Sequence, residues 1–230
     1  MVEANLLNLA GHRALEVIRF DRMVVETPEG VRVKRRHVID ACQALGMLSH
    51  EKYERVLSSA KGGFESIGMS YAKIASLAGN MADSQLFRFQ LLDWMIFNLL
   101  AGNTDCHGKN ISFAMTSEGL VLCPWYDMIN ARLYDAVDQT LAMAIGAAVD
   151  ACSIGVGELV KEAANIGLDR DAASVRLNQV LTHVENGLQV VALPEFATEE
   201  EIEFAHEWCD DIRTACDHWR DDALKLAELT

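Results

Sequence analysis

A long apolar segment, about residues 83–101, sets the strictest condition on the fold, because it carries apolar side chains on almost every face. Asp83 and Ser84 are suited to cap its start, and a polar run over residues 102–110 follows its end. A helix that is apolar nearly all round has to be covered by the rest of the chain. The sequence therefore predicts a central buried helix that delivers residues 102–110 to one end of the core.

Shorter patterns predict the elements around this helix. Further helices are predicted over 38–46, 50–60, 65–78, 155–167, 170–187 and 198–228. Two β-hairpins are predicted, one over 15–37 with its turn at 27–30, and one over 111–123 with its turn at 116–119. Only three prolines occur in 230 residues, as expected of a mainly helical chain. The predicted fold class is mainly α with small β-hairpins (α+β).

Net charge limits the partners expected for this chain, and cysteine content indicates its compartment. The chain has 20 basic and 34 acidic residues and a net charge of −14, which argues against a basic face for nucleic acid or anionic membrane. The sequence shows no signal-peptide pattern at its start, and its longest apolar run, around 94–101, is too short to span a bilayer. Six scattered cysteines without a Cys-x-x-Cys pair indicate reduced thiols. We therefore expect a cytoplasmic protein with no membrane attachment and no direct nucleic-acid partner.

The residues best suited to chemistry lie between positions 103 and 127. Asp105, His107 and Asn110 occupy the polar loop after the buried helix, and the second hairpin returns Asp127 to the same end. Phosphoryl transfer from Mg·ATP uses one carboxylate to orient the attacking hydroxyl, and an amide oxygen and a second carboxylate to hold Mg²⁺. Asp105 and Asn110 have the spacing of the protein-kinase loop H-R-D-x-x-x-x-N. The pattern favours a kinase-type site.

A structural loop and a nuclease site would both use the same residue types. Asp, His and Asn are common in loops because they cap helices and stabilise turns, so Asp-x-His-x-x-Asn alone is equally compatible with a structural loop. A metal-dependent nuclease would use the same side chains, but the net charge of −14 disfavours a nucleic-acid substrate. The buried helix before the loop and the hairpin that ends at Asp127 favour the kinase interpretation.

Several segments, in the right order, resemble the HipA family of bacterial Ser/Thr protein kinases, which are the toxins of toxin–antitoxin pairs. The catalytic region of that family is similar to residues 97–110 followed by Pro124-Trp125-Tyr126-Asp127. The family's hinge, whose backbone meets the adenine, is similar to Arg19-Phe20-Asp21-Arg22. Shorter matches follow the hinge at Arg36-His37, residues 40–46, Lys52-Tyr53-Glu54 and Gly62-Gly63. The resemblance extends from about residue 3 to about residue 165.

The resemblance implies a kinase-like C-terminal lobe of the HipA type and a role for each matching residue. The implied catalytic residues are Asp105, His107 and Lys109, the implied cofactor-binding residues are Phe20, Asn103, Asn110 and Asp127, and the implied metal ligands are Asn110 and Asp127. Asp105 would be the base. His107 and Lys109 would either charge the loop near the phosphates or brace it, and Asn103 would brace it. The implied cofactors are Mg²⁺ and ATP, and the implied partners are a protein substrate and a HipB-like antitoxin.

The same resemblance implies an N-lobe that supplies a phosphate-covering loop and a lysine. No Gly-rich loop precedes Phe20, and the first lysine is Lys34. The expected organisation is therefore a helix-C stub and hinge β-hairpin over 1–37, and a helical C-lobe over 38–230 with catalytic loop 102–110 and metal-Asp hairpin 111–127. Most of the N-lobe would be lacking.

Three functions are compatible with this organisation. The chain could be a kinase lobe completed by a partner chain that carries the N-lobe. It could be a non-catalytic remnant that binds an antitoxin or another kinase partner. It could also be a small-molecule phosphotransferase, since aminoglycoside and choline kinases share Asp-x-His-x-x-Asn, although the Arg-Phe-Asp-Arg segment favours the HipA-like interpretation.

Overall fold

A computed structural model describes residues 1–58 and 64–228. The helices are α1 (Ala41–Ala44), α2 (Tyr71–Ala75), α3 (Ser84–Leu100), α4 (Val156–Asn165), α5 (Arg170–Leu188) and α6 (Glu199–Glu228). The strands are β1 (Ala4–Leu9), β2 (His12–Val17), β3 (Arg22–Thr27), β4 (Gly30–Arg35), β5 (Val38–Asp40), β6 (Glu54–Ser58), β7 (Phe64–Gly68), β8 (Ser112–Thr116), β9 (Gly119–Leu122), β10 (Thr140–Ile145) and β11 (Ala148–Asp150). Short 3₁₀ turns occupy Ser49–Glu51, Ser76–Asn80, Ala131–Leu133 and Ala151–Ser153. The architecture is α+β, as predicted.

Helix α3 is the centre of the core, as its apolar composition predicts. The Asp83 side chain caps it by accepting a hydrogen bond from Leu86 N at 2.9 Å. Trp94 and Leu92 on this helix are fully buried, and α3 packs against both α5 and α2. The predicted helices over 155–167, 170–187 and 198–228 are confirmed as α4, α5 and α6. The end of α3 is therefore a fixed platform for the loop that follows it.

The strands form small antiparallel sheets rather than one large sheet. In the described residues these are β1–β2, β3–β4, β6–β7, β10–β11 and the three-stranded sheet β5–β8–β9. The three-stranded sheet matters most for the site, because it pairs β5 with the strand that follows residues 102–110. The predicted hairpin over 111–123 is confirmed as β8–β9, whereas the pair β10–β11 has no counterpart among the predicted elements.

The helix-C stub predicted at the start of segment 1–37 is not helical. Residues 4–17 form the β1–β2 hairpin, whose two-residue turn is Ala10-Gly11 with φ of 51° and 88°. Two consecutive residues with positive φ make the tight turn that suits a twisted antiparallel pair. The predicted turn at residues 27–30 is confirmed, but it joins β3 to β4, because the segment expected to be its first strand pairs with β1 instead.

Three predicted helices are wrong in part or in full. The segment 38–46 is helical only in α1, after strand β5. The segment 50–60 begins in the 3₁₀ turn Ser49–Glu51 and continues as strand β6, and 65–78 begins as strand β7 before α2. These short segments alternate apolar and polar residues only weakly, so pairing with a neighbouring strand decides their conformation. Gly62-Gly63 lies outside the described residues. No helix in 1–58 or 64–228 is both long and apolar enough to cross a bilayer.

Candidate functional site

The polar loop begins at the end of α3 with a glycine that the geometry requires. Gly102 has φ of +68°, and a Cβ at this position would lie 2.3 Å from the side-chain oxygen of Asn130. Because of both conditions, any residue other than glycine would be strained at this position. The Gly102 carbonyl accepts a hydrogen bond from Ala131 N at 2.9 Å, so the loop is tied to the segment after Asp127.

Asp105 is half-buried and is held through both its backbone and its side chain. Its carbonyl accepts hydrogen bonds from His107 N at 2.8 Å and from Asn110 Nδ2 at 3.1 Å. The Tyr53 hydroxyl donates to its Oδ1 at 3.0 Å. In the part of the chain that the structure describes, its Oδ2 has no hydrogen-bond partner. Among the described residues this oxygen is therefore available to accept a proton from an incoming hydroxyl.

His107 is buried and contacts a lysine from outside the loop. Lys52 Nζ lies 2.7 Å from His107 Nε2, and since an ammonium group can only donate, Nε2 is the acceptor. Burial lowers the pKa of His107, and the charge of Lys52 lowers it further. The charges of Asp105 and Asp127 act on the pKa of the same imidazole in the opposite direction, which places both carboxylates near it. His107 is therefore neutral near pH 7.

Asn110 and Asp127 supply the amide and the carboxylate that the sequence predicts as Mg²⁺ ligands. The Asn110 amide nitrogen is used by Asp105, and its side-chain oxygen has no hydrogen-bond partner among the described residues. Asp127 is exposed, has a left-handed φ of 59°, and its carbonyl accepts from Asn103 Nδ2 at 3.3 Å. Within residues 1–58 and 64–228 no cluster of three His, Cys, Asp or Glu side chains could hold a metal. Mg²⁺ usually takes one or two protein carboxylates and completes its shell with phosphates and water, so the residue types at positions 110 and 127 are ones this ion uses beside a nucleotide.

Tyr126 connects the hinge segment to the loop. The Phe20 ring stacks on it with centroids 6.2 Å apart, and its hydroxyl donates to the Lys109 carbonyl at 2.8 Å. The Lys109 ammonium group forms an ion pair with Asp40, the residue that caps α1, and this hydrogen bond raises the pKa of Lys109. The side chain of Lys109 therefore joins the loop to α1.

The seven residues predicted from sequence thus lie in one region. A cavity of about 450 Å³ opens beside them, lined by Asp105, Tyr53, Thr104, Val137 and Ile129 among others. A second cavity of about 580 Å³ lies among α3, α5 and α6 and is lined by none of the seven. Asp105 therefore borders a space large enough for a side chain of a second molecule.

Sequence reasoning assigns no role to Lys52 or Tyr53, which contact His107 and Asp105. The Lys52-Tyr53-Glu54 segment enters the resemblance only as a short match. Its segment is predicted to be helical, and a helix gives no reason to expect contact with a loop 55 residues away. One signal could have predicted this contact. Lys52 and Tyr53 are neighbours in a short match to the family, and neither helix capping nor core packing explains that match.

The fold is that of a kinase-like lobe. The sequence matches the HipA-like C-terminal domain family over residues 1–188, and the chain belongs to that family. It is 32% identical over 222 residues to the serine/threonine-protein kinase toxin HipA of Shewanella oneidensis, an overlap that is 95% of this chain and 51% of the relative. The chain therefore spans about half the length of that curated relative.

Solved structures agree with this assignment. A structure of HipA from Shewanella oneidensis, in complex with HipB and operator DNA, is 31% identical with a TM-score of 0.83, and the match covers 99% of this chain and 53% of that chain. The Helicobacter pylori kinase CtkA has a TM-score of 0.52 at 13% identity, over 98% of this chain and 75% of that chain, and shares the fold.

Proposed function

We propose that this chain is the catalytic lobe of an ATP-dependent protein kinase that phosphorylates Ser or Thr. The observation that carries the proposal is the hydrogen-bonded set in which Asn110 and Asn103 hold Asp105 and Asp127 in one loop region. The family membership supports it. Asp127 is also exposed with a left-handed φ of 59°, and left-handed non-glycine residues are common at functional sites.

The residues have separate parts in the proposed reaction. Asp105 orients the acceptor hydroxyl and takes its proton as the oxygen bonds to the terminal phosphorus of ATP. The bond from that phosphorus to the bridging oxygen breaks, and ADP leaves. Asn110 and Asp127 would hold Mg²⁺, which neutralises charge on the phosphates when bound. The Phe20 backbone would border the adenine beside Tyr126.

The phosphate-covering loop and its lysine would come from polypeptide outside residues 1–230, such as a partner chain with an N-lobe. One lost transition-state contact of this kind costs about 2.7–4 kcal/mol. Two such losses lower the rate by roughly four to six powers of ten. Residues 1–230 alone should therefore be a very weak kinase.

The proposed partners follow from the relatives. The Shewanella oneidensis HipA structure contains HipB, so we propose a HipB-like antitoxin as a partner of this chain. Operator DNA is also present in that complex, but the net charge of −14 argues against direct DNA contact by this chain. The proposed location is the cytoplasm, where ATP and such partners are found.

A non-catalytic binding module is the second candidate, and one observation favours it. Large apolar side chains are exposed on the first two hairpins, among them Leu15, Val24 and Val31 at 70%, 72% and 69% exposure. Exposed apolar surface of this kind commonly marks a protein–protein contact. The catalytic proposal needs the same surface for the N-lobe, so the two functions differ in activity rather than in shape.

The test is a phosphorylation assay with an N-lobe polypeptide supplied. Asp105→Ala should lower kcat by about 10²–10⁴, the usual contribution of a positioned base. Asp135→Ala, an exposed carboxylate outside the site, is the matched control and should leave kcat unchanged. Full activity in Asp105→Ala would refute the assignment of the base. Phosphoryl transfer that is absent in every form would favour the binding module.

A further inference from the structure

Lys52 lies beside the catalytic loop and is fixed there by several contacts. Its carbonyl accepts a hydrogen bond from Gly108 N at 3.0 Å, and its ammonium group donates to His107 Nε2 at 2.7 Å. The same ammonium nitrogen lies 4.8 Å from the centre of the Tyr53 ring, over its face. Tyr53 in turn donates to Asp105. Tyr53 therefore contacts both the Lys52 ammonium group and Asp105, the predicted base.

Lys52 has no ion-pair partner among the described side chains. Among the side chains that the structure describes, residues 1–57 and 66–224, no carboxylate lies within ion-pair distance of it. Several half-buried cations have a carboxylate partner: Lys109 pairs with Asp40, Arg132 with Asp211 and Arg176 with Asp93. The half-buried Lys73 and Arg88 donate to the backbone carbonyls of Gly68 and Ile166. Lys52 instead has a neutral imidazole as its partner.

This arrangement has a physical consequence. A neutral acceptor positions an ammonium group without cancelling its charge, whereas a carboxylate would cancel it. Holding a half-buried cation without a counter-charge costs free energy unless an anion binds there. In a chain of net charge −14, a positive charge held beside loop 102–110 without an ion pair suits an anionic ligand.

We propose that Lys52 binds the terminal phosphate of Mg·ATP, and that His107 is the positioning residue that holds its ammonium group. The inference rests on the proposed function and adds to it a phosphate-binding cation from within residues 1–230. Lys52 approaches from the segment before β6, whereas the magnesium pair comes from the loop and the hairpin. The terminal phosphate would therefore be bound from two sides. The purely structural alternative is that Lys52 only supports His107 and Gly108.

Affinity for Mg·ATP compared with Mg·ADP separates the two roles, because only ATP carries the terminal phosphate. Titration calorimetry would use residues 1–230, alone or assembled with an N-lobe polypeptide, in whichever form binds nucleotide. Lys52→Gln should weaken Mg·ATP binding roughly tenfold or more, the loss expected for one charged hydrogen bond, and leave Mg·ADP binding unchanged. Lys52→Arg should retain part of the preference for ATP. Lys161→Gln, an exposed lysine on α4 paired with Glu158, is the matched control.

Each outcome decides the question. Selective loss of ATP affinity in Lys52→Gln, with Lys161→Gln unaffected, supports the inference. Equal affinity for both nucleotides before and after Lys52→Gln, or an equal loss for both, overturns it and leaves the proposed function standing. Absence of Mg·ATP binding by wild type in both forms refutes the proposed function and this inference together. If Lys52→Gln does not fold, Lys52→Arg decides: a smaller ATP affinity at unchanged ADP affinity supports the inference, and equal changes for both nucleotides overturn it.

Discussion

Arg132→Met should destabilise the start of loop 102–110, the proposed catalytic loop. The Arg132 guanidinium group donates to Asp211 on α6 through Nε at 3.1 Å and Nη2 at 2.7 Å. It also donates to the carbonyls of Leu99 and Leu100, at 3.2 and 2.9 Å, where α3 ends and the loop begins. One side chain therefore fastens α6 to the start of the loop. Methionine keeps most of the apolar stem and removes these hydrogen bonds.

The expected loss of folding free energy depends on how exposed the Arg132 and Asp211 side chains are. Breaking a buried ion pair costs about 3–5 kcal/mol, whereas an exposed pair is worth about 0.2–1 kcal/mol. The Arg132 and Asp211 side chains are 32% and 21% exposed, so about 1–2 kcal/mol is appropriate with solvent screening. The two carbonyl contacts add about 0.5–1 kcal/mol each, because water can replace them in part. The expected loss is about 2–4 kcal/mol.

Thermal and urea unfolding measure this loss. For a chain of this size 1 kcal/mol corresponds to about 2–4 °C, so Arg132→Met should lower Tm by about 6–12 °C for a loss near 3 kcal/mol. Arg213→Met is the matched control on α6, since Arg213 pairs with Asp210 at 52% and 72% exposure, and it should change stability by less than about 0.5 kcal/mol. A similar small change in both variants would refute the reasoning.

Three further predictions use different contacts. Burial raises the pKa of both Glu162 and Glu54, so each ionised carboxylate destabilises the folded state. Glu162→Gln should therefore raise Tm at pH 7.5. A pH series of melts should show this gain shrink as pH falls toward 4.5, because the carboxyl group of Glu162 is then protonated. Gly108→Ala would place a Cβ 2.6 Å from Cγ of the fully buried Met69, so we expect a loss of about 1–3 kcal/mol by urea unfolding, and an unchanged midpoint would contradict the packing. Tyr53→Phe removes the donor to the predicted base and should lower kcat more than it changes KM for acceptor protein; a change in KM alone would mean that the phenol contacts substrate instead.

The sequence predicts the helical part of this fold well, for a definite reason. The α3 segment has enough apolar residues to specify a buried helix without knowledge of its neighbours, and Asp83 marks its start. Helices α4 to α6 are also long enough for their periodicity to be clear. The sequence order of Asp105, Asn110 and Asp127 then places them at one end of α3, where the structure also has them.

The first 80 residues are harder to predict because their conformation depends on partners distant in sequence. Strand β1 occupies the segment expected to hold a helix-C stub, and its state is decided by pairing with β2 through the Ala10-Gly11 turn. Strand β6 likewise depends on β7. This error conceals Lys52 and Tyr53, since their proximity to the loop is a tertiary fact that no local pattern carries.

Binding of Mg·ATP tests the central claim most directly, because Asn110 and Asp127 are proposed to hold Mg²⁺ against the phosphates. Calorimetry with an N-lobe polypeptide present would compare wild type, Asp127→Asn and the exposed control Asp135→Asn, each with Mg²⁺ and with EDTA. We predict binding that requires Mg²⁺, is lost in Asp127→Asn and is unchanged in Asp135→Asn. Equal binding by wild type and Asp127→Asn, or no binding at millimolar nucleotide, would contradict the assignment.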